Sequence, residues 1–215
     1  MTSSLIIAEG GLIVLTTIAI VLRRQRDRAA RGAMAARHGW KMPPRTRDTW
    51  TERLAGIGPF RIGHDRRLSA VYRTRHGVWL FPYACDTGFE HRRGHHVWRL
   101  AVYEIAHPYG HAIVTCEDWL IAMLTTPVSH EIEIADGETV ERNPNGPVAL
   151  VEDREAWWSR LHGDLGAWFN AQPAMRSWQT LPGLVVGFEP GPFLENDMDS
   201  LADATRELAD RLAKK

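Results

Sequence analysis

Five histidines, His91, His95, His96, His107 and His111, fall within a short stretch of this 215-residue chain, and imidazole nitrogens are common zinc ligands. His107 and His111 have the i, i+4 separation of helical zinc ligands. Pro108 and Gly110 lie between them, however, and turn the segment into a bend, and no Glu follows His107 to serve as a hydrolytic base. A metal-dependent hydrolase built on His91, His95, His107 and His111 is therefore the alternative reading, and the preferred one leaves these residues as loop histidines at hairpin ends beside Arg92 and Arg93. Nucleophilic chemistry has less support. Cys85 and Cys116 stand alone, no Gly-x-Ser-x-Gly occurs, and the acid pairs Glu117-Asp118 and Glu152-Asp153 each precede a candidate helix, whose start they would charge. Gly56-Ile57-Gly58-Pro59 has neither the strand before it nor the helix after it that a dinucleotide loop needs. The sequence leads us to expect no catalytic centre and no cofactor.

The chain begins with an apolar run, Leu5 to Leu22, followed at once by Arg23, Arg24, Arg26, Arg28 and Arg31. A secretory signal carries its positive charge before the apolar stretch, and the small-x-small pattern Ala33-Met34-Ala35 lies too far beyond it for cleavage. The expectation is an uncleaved transmembrane anchor over 1–22, whose apolar run from Leu5 to Leu22 is about 27 Å long at roughly 1.5 Å per residue, with Glu9 as an interfacial acid near its outer end. From Arg23 to Arg47 nine Lys or Arg face one acid, Asp27. The positive-inside rule would put the amino terminus outside and everything after Arg23 in the cytoplasm, at the plasma membrane. The basic stem, 23–57, would favour anionic lipid. Nucleic acid is not expected, because the arginines lack interleaved aromatics before Trp40 and the folded part is not basic. Trp40 and Trp50 lie close enough in sequence to the anchor to rest on the membrane.

Residues 58–215 would form one cytoplasmic α+β domain. Alternation marks strands at Leu68 to Arg73, Gly77 to Tyr83, Val97 to Ile105 and Ala112 to Cys116, an antiparallel meander, with further strands at Glu131 to Ala135, Val148 to Val151 and Leu184 to Phe188. Asp118 to Leu124 reads as a short helix and Gly137 to Pro147 as a polar loop. Trp157, Leu161, Leu165, Trp168 and Phe169 recur at helical spacing and predict a long amphipathic helix over 154–172, covering the apolar face of the meander. A closing helix from about 197, with Leu201, Thr205, Leu208 and Leu212 on one stripe, is expected to be peripheral and to contact a partner. Two cysteines and no Asn-x-Ser/Thr acceptor agree with a reducing compartment. With 23 of the 26 basic residues being Arg, the composition reflects a high-GC genome.

Ala35-Ala36-Arg37-His38-Gly39-Trp40, Gly58-Pro59-Phe60, and Trp157 through Trp168 followed by Gly183-Leu184-Val185-Val186 give the chain its likeness to a known group. It resembles poorly characterised single-pass, membrane-anchored proteins of high-GC, actinobacterial-type bacteria. That resemblance implies an anchor, a basic stem and a strand-rich domain, and carries over no catalytic residue. The reading that emerges is a membrane-tethered cytoplasmic domain that binds a protein or lipid partner.

Overall fold

The computed structural model describes residues 2–43, 47–54, 64–87, 94–106, 110–115, 139–142, 148–161 and 163–214. The chain divides into two compact units, Met1–Met42 and Pro43–Lys215. The first is one helix, α1 (Thr2–Arg37). It ends at Gly39, whose positive φ lets the Trp40 amide turn back and donate to the Ala35 carbonyl at 2.8 Å.

This unit corrects the first expectation. Among the described residues no helix is long and apolar enough to cross a membrane, so neither the transmembrane anchor over 1–22 nor the single-pass topology is found. On α1 the described side chains begin at Thr17, and the uninterrupted apolar run ends at Leu22. Arg23, Arg24, Arg26, Arg28 and Arg31 continue the same unbroken helix to Arg37.

In the second unit, α2 (Arg47–Arg53) precedes a nine-stranded antiparallel sheet. Its strands are β1 (His64–Leu68), β2 (Tyr72–Arg73), β3 (Trp79–Thr87), β4 (Gly94–Glu104), β5 (Ala112–Thr115), β6 (Thr139–Arg142), β7 (Val148–Val151), β8 (Ser177–Leu181) and β9 (Leu184–Pro190). The spatial order is β1-β3-β4-β9-β8-β5-β7-β6, with β2 paired to β3. The expected meander is therefore interrupted, because the β8–β9 hairpin inserts between β4 and β5. β9 qualifies for that central place because both its faces are buried from Leu184 to Glu189. β6 lies inside the expected polar loop. The expected strand over 131–135 and helix over 118–124 fall outside the described residues.

One face of the sheet collects Trp79, Phe81, Tyr83 and Cys85 of β3, Trp98, Leu100 and Val102 of β4, and Val186 and Phe188 of β9 into the main core. Trp50 and Leu54 belong to it as well. The Trp50 ring lies 5.0 Å from both Trp79 and Phe81, so Trp50 is a core residue and not a membrane-resting one. Arg53 then stacks on Trp50 at 4.3 Å and donates to Glu104 at 2.8 Å, locking α2 to the end of β4.

The opposite face shows a second correction. The segment expected to form one long covering helix is a pair of short ones, α3 (Arg154–Leu161) and α4 (Asp164–Asn170). A Cβ on Gly166 would stand 1.8 Å from the Leu161 carbonyl oxygen, a close approach only glycine permits. Instead the closing helix, α5 (Glu195–Ala213), covers the sheet, burying Met198, Leu201, Ala202, Ala204, Thr205, Leu208, Ala209 and Leu212. It is part of the core, not peripheral. Its approach is set by Gly187 in β9, where a Cβ would meet Thr205 Oγ1 at 2.4 Å, Trp178 at 2.8 Å and Leu201 at 3.1 Å. Small residues on both surfaces bring helix and sheet into contact.

Candidate functional site

The histidines do not converge. His95 opens β4, directly opposite Asp86 on β3, and its Nδ1 donates to the Asp86 carboxylate at 2.7 Å. That hydrogen bond holds Asp86 below the usual carboxylate range. His111 precedes β5, whose first residue, Ala112, is level with Thr180, which pairs with Val185 and through it with Tyr103 near the far end of β4. His95 and His111 thus sit toward opposite ends of the sheet. His111 Nε2 is instead met by the Gln179 amide at 2.7 Å, while the His111 backbone N–H donates to Glu152 at 3.1 Å. His91 and His107 lie outside the described residues. Among the described residues, no three His, Cys, Asp or Glu are grouped to hold a metal ion. Cys85 is no better placed for chemistry, since burial pushes its thiol up and Tyr83 is its hydrogen-bonding neighbour.

Where charge does converge, it does so at α5. Arg99 projects from β4 and Glu189 from the register-paired position on β9. One Glu189 oxygen accepts from Arg99 at 2.9 Å and the other from Arg176 at 2.5 Å. Arg99 also pairs with Asp197 in the first turn of α5, and Arg176 reaches Ser200 at 3.3 Å and Gln172 at 3.2 Å. Two guanidiniums and two carboxylates balance, with Arg176 and Glu189 buried, Arg99 largely so and Asp197 half-exposed at the rim, so the group fixes the start of α5 upon the sheet. Sequence reading missed it. The only signal was Arg99 standing between Val97 and Ala101 in an otherwise apolar strand.

The other end of α5 borders a cavity of about 480 Å³ lined by Ser159, Arg160, Gly163, Asp164, Leu165, Arg211 and Lys214. The α3–α4 hairpin supplies five of these residues, and α5 with the residue after it supplies Arg211 and Lys214. Arg211 is held in place: its Nε and Nη2 donate to Glu207 at 2.9 and 2.7 Å, and its guanidinium lies 5.8 Å from the Trp168 ring. The Arg211 hydrogen bond keeps Glu207 below the usual carboxylate range, with a second bond from Trp168 adding to it. No sequence pattern announced this cavity, because its cations come from segments about fifty residues apart.

The arginines expected to face lipid, Arg23, Arg24, Arg26, Arg28 and Arg31, all lie on α1, the first four exposed and Arg31 half-buried. Immediately before them Ile18, Ile20, Val21 and Leu22 are exposed as well.

No family model and no curated protein matches the chain. Its fold is similar to the crystal structure of the mycobacterial trehalose monomycolate transport factor A, TtfA, with a TM-score of 0.61 at 12% identity, over 85% of this chain and 92% of that one. The likeness is one of fold. It agrees with the actinobacterial part of the resemblance read from sequence, and leaves the single-pass anchoring without support.

Proposed function

We propose that this chain is a cytoplasmic binding domain that works through a protein or lipid partner, and that α1 meets anionic lipid headgroups with its arginine block. The observation that carries the proposal is the order of exposed groups on one helix: Ile18, Ile20, Val21 and Leu22, then Arg23, Arg24, Arg26 and Arg28. Water-exposed apolar side chains beside exposed cations suit an interface, where the apolar groups enter the acyl boundary and the cations meet phosphate. Each well-placed cation contributes up to about 1 kcal/mol near an anionic surface, so the four exposed arginines together make a usable affinity. The buried Cys85 thiol suits a reducing compartment. A fold shared with a protein named as a transport factor supports a role exercised through a partner.

The test is flotation of the whole chain with phosphatidylglycerol-containing and with purely phosphatidylcholine vesicles. The wild type should float with the first and much less with the second, and the quadruple change Arg23→Glu, Arg24→Glu, Arg26→Glu and Arg28→Glu should abolish flotation. Equal recovery with both vesicle types, or no effect of the charge reversal, would remove lipid from the reading.

A further inference from the structure

We infer that the cavity between the α3–α4 hairpin and the end of α5 is a binding site for a small phosphate-bearing molecule. Three cations, Arg160, Arg211 and Lys214, line it against one acid, Asp164. Glu207 answers Arg211 and, at longer range, Lys214, so the groups around the cavity keep an excess of one positive charge, and that field draws an anion in. The negative ends of α3 and α5 explain part of this gathering, because Arg160 and Arg211 lie in their last turns. They do not explain Lys214. It stands past the end of α5 on extended backbone, where its charge is felt by Glu207 as well as by the cavity.

Arg211 is the organised element. Glu207 binds its Nε and Nη2, and the Trp168 ring lies beside it, so the guanidinium is oriented before any ligand arrives and its Nη1 remains to donate. Pre-organised guanidinium donors suit the tetrahedral oxygens of phosphate, and Lys214 adds a mobile point charge. Ser159, exposed at the rim, offers a hydroxyl donor. The volume, about 480 Å³, falls in the range of small-molecule clefts, roughly 300 to 1,000 Å³. It suits a phosphomonoester group and its immediate substituent, whether that belongs to a free metabolite or to a lipid headgroup. This inference stands apart from the role proposed for α1, which lies in the other compact unit.

The experiment is calorimetric titration of the full chain, at low ionic strength, with inorganic phosphate, pyrophosphate and short-chain dihexanoyl phosphatidic acid. Saturable binding of at least one probe is expected, weakened about tenfold or more by Arg160→Gln combined with Lys214→Gln, as charge-assisted bonds are lost. Lys214→Gln alone, which touches no packed group, should weaken binding in the same direction if the double variant fails to fold. Tighter binding of the short-chain lipid than of inorganic phosphate assigns the site to a headgroup, and equal binding assigns it to a soluble phosphate. No saturable binding of any probe, or binding undiminished in the variants, overturns the inference. Because both variants keep every α1 arginine, such a failure leaves vesicle flotation, and the reading that rests on it, untouched.

Discussion

Gly187→Ala is the sharpest probe of how this domain is assembled. A single methyl at this position in β9 would meet Thr205 Oγ1 at 2.4 Å, Trp178 at 2.8 Å and Leu201 at 3.1 Å. None of the three has room to retreat: all are fully buried, and Thr205 Oγ1 already donates to the Leu201 carbonyl at 2.7 Å. Overpacking of this kind costs about 1 to 3 kcal/mol, and a displaced hydroxyl bond adds about 1 kcal/mol. Alanine recovers roughly 0.5 to 1 kcal/mol through the lower entropy of its unfolded chain. A net loss of about 2 kcal/mol follows, which for a urea slope of about 1 to 3 kcal/mol/M moves the unfolding midpoint down by roughly 1 M. Adding Thr205→Ala should return part of the loss, because it removes the closest atom, and the two changes should be markedly non-additive. A neutral or stabilising Gly187→Ala, or simple additivity with Thr205→Ala, would refute the claim that α5 is seated on Gly187.

Three further outcomes follow from the same contacts. Glu189→Gln leaves Arg99 and Arg176 without their shared charge and should cost about 3 to 5 kcal/mol in chemical denaturation, since a buried pair is broken from one side. Ending the chain before Glu195 strips the cover from one face of the sheet, and circular dichroism and proteolysis should report an unfolded second unit; a folded truncated chain would return α5 to the periphery. Glu207 titrates below its ordinary value in the folded state because Arg211 and Trp168 donate to it. Its contribution to stability is therefore complete above the unfolded-state value and lost as pH falls through the folded one, so Glu207→Gln should lower stability modestly near neutrality, and the difference from the wild type should shrink as pH falls below about 4.5.

Strand content was legible where alternation was strong. Val148–Val151 coincides with β7, and the spans at Val97 to Ile105 and Leu184 to Phe188 meet β4 and β9 within a few residues. Strand order was not legible, because pairing of β9 with β4 joins residues some eighty positions apart and no local pattern encodes it. The helix stripe at Trp157, Leu161, Leu165 and Trp168 was real as burial but wrong as one helix, since the helix breaks at Gly163, and Gly166, inside α4, lets the second helix close upon the Leu161 carbonyl. The role of α5 was misjudged for a related reason. Its buried stripe is rich in Ala and Thr, which reads as narrow until Gly187 shows that a close-seated helix needs small residues. Two of its acids, Asp197 and Glu207, are engaged by Arg99 and Arg211. The apolar run at the amino terminus suggested a span, where α1 carries its exposed apolar groups and its arginines along one continuous helix.

The central claim, that α1 engages anionic lipid through its exposed apolar and basic groups, is tested most directly by an environment-sensitive fluorophore at position 21. Val21→Cys in a Cys116→Ser background provides an exposed thiol, Cys85 being buried. The account predicts a blue shift when phosphatidylglycerol-containing vesicles are added, reversed by about 0.5 M salt as the charges are screened, and no shift with phosphatidylcholine alone. An unchanged spectrum with anionic vesicles, or the same shift with both lipids, would contradict it.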